Sequence, residues 1–227
     1  MRTSHSQRTT KVVAFAPGLL MAAGAAVLPA VGHAQSAGAH DPSPVVYVAR
    51  LSALNPAVTG RAASGEARLT IAGDSVTIAV KARGLPKDIV HWQHFHGFPD
   101  GRQAACPTKS ADANGDGIID VTETAAAAGT TMVPFSSDPA SMDVPHGNYP
   151  KASATGTLEY RTTVSLSALQ AAFGKAFPGQ QLDLERRVVF IHGVPAATKL
   201  ATTVASLGTI PAQVTLPIAC GRLARAK

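Results

Sequence analysis

Residues 67–82 read ARLTIA-GD-SVTIAVKA, two apolar–polar alternating runs on either side of Gly73-Asp74. A period of two places Val76, Ile78 and Val80 on one face of an extended chain, and the Gly-Asp pair between the runs is a hairpin signal. The same alternation extends in both directions. Upstream, Val45, Tyr47 and Ala49 alternate with Val46, Val48 and Arg50. Downstream, Gly84-Leu85-Pro86 breaks the run, and strands are expected at 89–96 (IVHWQHFH), 130–135, 155–164, 187–192 and 212–220, the last with Val214, Leu216, Ile218 and Cys220 on one face. One short helix is expected. Ser167 and Gln170 read as a capping box, Leu169, Ala172, Phe173, Ala176 and Phe177 follow helical spacing, and Pro178-Gly179 ends the run. Short strands separated by turn signals point to an all-β, antiparallel sandwich or barrel.

Composition agrees. The 227 residues are 45% hydrophobic and 15% charged, which excludes a disordered chain, and 20 glycines with 16 prolines favour turns over a helical bundle. The only apolar stretch long enough to suggest a membrane span is Val12–Leu28. Arg2, Arg8 and Lys11 precede it and Gly32-His33-Ala34 follows, so residues 1–34 read as a signal peptide. A retained anchor is the other reading, and Pro17, Gly18 and Gly24 make it a poor one. The expected organisation is a leader over 1–34, a tail over 35–44 and one domain over 45–227, exported to a periplasm or secreted, with no stable membrane span. Without the three leader cations, 17 basic side chains face 14 acidic ones, too slight and too scattered an excess for a nucleic-acid footprint. Cys106 and Cys220 are the only cysteines. Export favours a disulfide between them, worth about 4 kcal/mol if unstrained, over two buried thiols.

The segment 97–130 is too long and polar for a simple turn, and connections of that length commonly carry function. Within it, residues 112–123 read DANGDGIIDVTE. This matches the twelve-residue EF-hand calcium loop: Asp112, Asn114 and Asp116 at positions 1, 3 and 5, Gly117 at the sharp turn, the Ile118 carbonyl at 7, apolar Ile119 at 8, Asp120 at 9 and Glu123 closing the shell at 12. Pro107 and the polar run after it make a poor entering helix, no second loop exists to pair with, and only a short exiting helix over Val121–Ala128 is expected. The reading is a lone structural Ca²⁺ clip, with an Asp/Asn/Gly-rich surface turn as the bland alternative.

The stretch 89–96 places His94 and His96 on one face with Trp92 and turns His91 to the other, where a hydrogen-bonding surface or edge residue is expected. His192 ends another apolar strand, and His146 follows Pro145. No Gly-rich phosphate loop, G-x-S-x-G elbow or H-E-x-x-H helix occurs.

The order His94-Phe95-His96-Gly97, Cys106, Pro145-His146, His192 and Ala219-Cys220-Gly221 resembles the copper/zinc superoxide dismutase family, and equally the chordin-type (CHRD) domains, over about residues 45–221. The resemblance implies an eight-stranded Greek-key β-sandwich. It also implies a Cys106–Cys220 bridge from loop to last strand, and His94, His96, His146 and His192 as copper ligands. Three departures stand out. Nothing after His146 matches the family's zinc set, Pro217 stands where the dismutases carry an arginine, and the Cys106–His146 stretch is longer and holds the calcium loop. Two functions follow as expectations: an exported calcium-binding CHRD-type module with a structural or binding role and an unidentified protein or cell-surface partner, or a copper-only dismutase-like enzyme. The bland reading of the histidines is structural, with imidazoles bracing loops through backbone carbonyls.

Overall fold

A computed structural model describes residues 43–227; the leader and most of the tail lie outside them. Eight strands follow in order: β1 (Val45–Ala53), β2 (Ser64–Ala72), β3 (Ser75–Arg83), β4 (Gln93–Gly97), β5 (Thr130–Pro134), β6 (Leu158–Ser165), β7 (Val188–His192) and β8 (Pro217–Arg225). All pairings are antiparallel, and the spatial order is β5-β4-β7-β8-β1-β2-β3-β6. Only β1–β2, β2–β3, β4–β5 and β7–β8 join chain neighbours. The β3–β6, β4–β7 and β8–β1 pairings require long crossings, so the fold is a Greek-key β-sandwich. Among the described residues no helix is long and apolar enough to cross a membrane.

The hairpin of residues 67–82 forms as its alternation requires. Val76, Ile78 and Val80 are buried, while Lys81 and Arg83 are exposed. They join one core with Leu51, Leu69, Phe95, Phe135, Val189, Ile191 and Leu223, so both halves of the sandwich contribute to it. Phe95 lies 6.2 Å edge-on from Phe135 and 6.3 Å from Phe173 of the helix Leu166–Ala176, which lids this core. Truncating one such buried ring costs about 3–5 kcal/mol.

Five sequence expectations differ in detail. The helix starts two residues early. Ser165, not Ser167, is the cap, its Oγ accepting from the Ala168 N–H at 3.1 Å. Asp74 at the β2–β3 turn displaces the expected box by accepting from the Ser165 hydroxyl at 2.7 Å and the Ser167 N–H at 2.8 Å. The last strand starts at Pro217, because Ala212–Thr215 forms a helical turn behind Pro211, whose fixed φ suits a helix start. Val214 and Leu216 therefore lie outside it. β4 starts at Gln93, leaving Val90 in an isolated bridge to Lys151. β6 starts at Leu158, after a turn at Gly156 with φ 76°. The exiting helix of the loop is confined to Ala125–Ala128 and the entering segment to a single turn, Lys109–Ala111.

Cys106 and Cys220 form the expected disulfide, with Cα atoms 5.8 Å apart across a sequence separation of 114. It ties the long connection to β8.

Candidate metal centre

The β4–β7 register pairs His94 with Phe190 and His96 with Val188, so both histidines project from the centre of the sheet. The register shifts between Phe95 and His96 against β5, and between Ile191 and His192 against β8. The β4–β7 register itself runs unbroken and continues to Trp92, whose carbonyl accepts from the His192 N–H at 2.8 Å, so His192 shares the face of His94 and His96. The His94 ring centroid lies 4.8 Å from that of His96 and 4.6 Å from that of His192. One ring nitrogen from each of the three falls within 4.8 Å of the others, and each residue is at most 3% exposed. Among the described residues this is the one cluster of three or more metal-ligating side chains so gathered.

Three buried nitrogens here have no hydrogen-bond partner: Nδ1 of His94, Nδ1 of His96 and Nε2 of His192. Leaving a buried polar atom unpaired costs about 1–3 kcal/mol. For His192 the surroundings fix which nitrogen is bare. Nδ1 of His192 lies 2.7 Å from the Thr215 carbonyl, which can only accept, so Nδ1 carries the proton and Nε2 presents a lone pair. Nε2 of His96 lies 3.1 Å from the Thr131 hydroxyl, a partner able to accept from Nε2–H and leave Nδ1 bare. An outer partner on the second ring nitrogen is the usual support of a metal-bound imidazole. Burial holds all three rings well below the ordinary imidazole pKa, His192 down to about 4, so they are neutral at physiological pH. Two nitrogens about 2.1 Å from one ion stand at most about 4.2 Å apart, so small ring movements would complete the grip.

His146 is not in this group. Its side chain is 81% exposed, and Nδ1 meets Asp143 at 3.0 Å. His91, expected at a surface or edge, is fully buried. Its Nδ1 lies 2.9 Å from the His192 carbonyl and its Nε2 2.8 Å from that of Pro86. Two carbonyls ask for two donated protons, which only the imidazolium has, while burial pulls the pKa down. The hydrogen-bonding role holds; the exposure does not, because the backbone at Pro86 and at His192 closes on the two ring nitrogens.

The loop 112–123 folds on its own carboxylates. Asp112 accepts from the N–H groups of Gly115 (2.8 Å), Asp116 (3.1 Å) and Gly117 (2.9 Å), and the chain passes Gly115 and Gly117 at φ 75° and 82°. Glu123 reaches back across the loop to the N–H groups of Ala113 at 2.8 Å and Asp120 at 3.0 Å. Asn114 accepts from Asp116 and Asp116 from Ile118. Asp120 is buried and accepts from Thr122, Glu123 and Ala205. Burial pushes its pKa up, but the donors, Ala205 foremost, leave it below the ordinary value. The Thr203 hydroxyl donates to Asp116 and is the main reason that carboxyl is also held low.

Sequence reasoning missed Asn55, which holds this loop to the sandwich. It sits left-handed at φ 50°, a conformation asparagine tolerates better than most residues. Its Nδ2 donates to the carbonyls of Ile119 (2.8 Å) and Pro217 (2.9 Å), and its Oδ1 accepts from the Ile119 N–H at 2.9 Å. A single side-chain amide thus takes both backbone groups of the loop's eighth position, which no second loop is present to pair. An Asn-Pro pair ahead of a four-residue helix was the only signal.

No protein-family model matches the chain, and no curated protein matches it. Among solved structures it is similar to the Cu/Zn superoxide dismutase from Brucella abortus. The identity is 17% and the TM-score 0.36, over 78% of this chain and 98% of that one. The fold assignment above rests on the strand order and register.

Proposed function

We propose that this is an exported metal-binding β-sandwich whose His94, His96 and His192 hold one copper or zinc ion, and whose loop 112–123 holds a structural Ca²⁺. The observation that carries the first part is the set of three buried, unpartnered ring nitrogens on neutral imidazoles. Imidazole donors suit copper and zinc over calcium or magnesium. Bound copper would supply one-electron exchange, and bound zinc a fixed Lewis acid. The chain's own part is to hold His192 in one tautomer through the Thr215 carbonyl, to brace His96 against the Thr131 hydroxyl and to keep the three rings dry. Export is supported by the disulfide, which persists in oxidising compartments.

For calcium, the oxygen donors would be Asp112, Asn114, Asp116, Asp120, Glu123 and the Ile118 carbonyl. The closed loop, with Glu123 folded across to the first residues, supports that reading. The role is that of a binding or structural module of CHRD type. A copper-only dismutase-like enzyme is the alternative, favoured by one observation: the histidines gathered are three of the four the family resemblance implies. Against it, His146 is paired with Asp143 in solvent, and Pro217 occupies the arginine position.

The test is metal analysis of purified protein with superoxide consumption measured alongside. Copper or zinc at one per chain, lost in His192→Ala, and calcium lost in Asp112→Ala/Glu123→Ala, are expected without superoxide turnover. Superoxide turnover that disappears with His94→Ala would establish the enzyme instead. Absence of copper and zinc at micromolar supply, and of calcium at millimolar supply, would refute the proposal.

A further inference from the structure

The basic side chains scattered through the sequence are gathered by strand register. The pairings β1–β2, β2–β3 and β3–β6 set Arg50, Glu66, Lys81 and Glu159 in one row, and the β1–β8 register extends it to Arg222. The next row across the same outer face carries Arg68 and Arg161. Arg83 stands at its margin, all of these cations being exposed. Six basic side chains therefore meet two acidic ones, a net +4 on one face that equals the net charge of all the described residues together.

The two carboxylates are already engaged. Glu66 lies 3.1 Å from Arg68 and Glu159 lies 3.9 Å from Lys81. Arg50, Arg83, Arg161 and Arg222 have no carboxylate within 4.0 Å among the described residues. The ladder pairs Ala49 with Leu223 and Ser52 with Cys220, so its register sets Arg50 beside Arg222 on the neighbouring strand, where like charges repel. Two shallow troughs of about 540 and 480 Å³ share Arg50 and Glu66 and cross the face. A folded protein that concentrates cations against their own repulsion has a surface suited to an anionic counterpart.

We propose that this face binds an acidic polysaccharide, whose carboxylate or sulfate groups lie along the troughs. Guanidinium groups match such planar or trigonal anions with two parallel hydrogen bonds. The exposed large apolar residues of the described chain, Val90 and Leu207, are off this face, so it has no anchor for a bilayer. None of its outward residues is aromatic, so it offers no stacking platform for single-stranded nucleic acid. The proposal is independent of both metal sites.

The test is binding of the full chain to dextran sulfate and to polygalacturonate, with chelator present, followed by fluorescence anisotropy across salt. Binding is expected near 50 mM salt, weakening by about tenfold or more by 200 mM, as ion-displacement binding does. Arg50→Ser/Arg222→Ser is expected to weaken it by about tenfold and lower the slope of log K against log salt by nearly two. Lys175→Ser/Lys199→Ser removes the same charge from exposed lysines elsewhere and is expected to leave binding unchanged. Arg161→Ser alone, with no ionic partner to lose, is expected to weaken binding severalfold and serves if the double variant fails to fold. Absence of binding at 50 mM salt, an equal loss in the lysine control, or binding to phosphatidylserine vesicles or duplex DNA but to neither polysaccharide would each overturn the proposal.

Discussion

Replacing Asn55 by alanine should be among the most damaging single substitutions outside the apolar core, although the residue touches no proposed metal. The side chain is 7% exposed and makes three hydrogen bonds to backbone groups of Ile119 and Pro217. Each buried backbone group left unpaired costs about 1–3 kcal/mol, and water entering the vacated space recovers part of that, so about 3–5 kcal/mol is expected for the three. Alanine in the left-handed conformation adds about 1 kcal/mol, which glycine would not. Asn55→Gly should therefore be milder than Asn55→Ala by about that amount, while both remain far below wild type. Urea denaturation in chelator measures this, with the midpoint falling at unchanged m-value. The calcium-dependent shift in melting temperature should also shrink, because the loop loses its tether. A loss under about 1 kcal/mol for Asn55→Ala would refute the claim that this amide joins the loop to β8.

Stability in chelator should fall as pH drops. The folded-state pKa values of His94, His96 and His192 lie below the unfolded value of 6.5, so below pH 6.5 the unfolded chain binds more protons. The stability is complete above pH 6.5 and, for His192, lost progressively down to about pH 4. His192 alone would contribute about 3 kcal/mol. A urea midpoint flat between pH 7 and 4.5 would contradict this. Ser165→Ala should cost about 1 kcal/mol through the lost helix cap, while Ser167→Ala leaves that cap bond intact; equal midpoints for wild type and Ser165→Ala would refute the assignment. Cys220→Ser should cost about 4–5 kcal/mol on chain-entropy grounds, measured by thermal melting without reductant; an unchanged melting temperature would count against the bridge as a stabilising element.

Much of the fold was legible because alternation carries it. The hairpin around Gly73-Asp74 and the buried strand Val188–His192 follow from apolar pattern alone. The errors fall where a second residue, near or distant, competes with the local signal. Ser167 and Gln170 have the spacing of a capping box, but Asp74, 93 residues away, takes the Ser167 N–H and frees Ser165 to cap. Val214 and Leu216 alternate with later strand residues, yet the proline at 211 starts a helical turn. At the site, His94 and His96 were legible as an i, i+2 pair, and the arrival of His192 depends on the long-range pairing of β4 with β7, which no local pattern encodes. His146 shares the order of a family motif but is held in solvent by Asp143, three residues before it. The basic face was invisible for a related reason. Its arginines are tens of residues apart and meet only through pairing across five strands.

The most direct test of the account is titration of metal-free protein with Cu²⁺ or Zn²⁺ at pH 7, read by calorimetry together with the chemical shifts of the three imidazole side chains. One equivalent per chain should bind, perturb His94, His96 and His192 together, leave His146 unmoved, and vanish in His192→Ala. Binding that persists in that variant, or that moves His146 in place of the buried three, would contradict it.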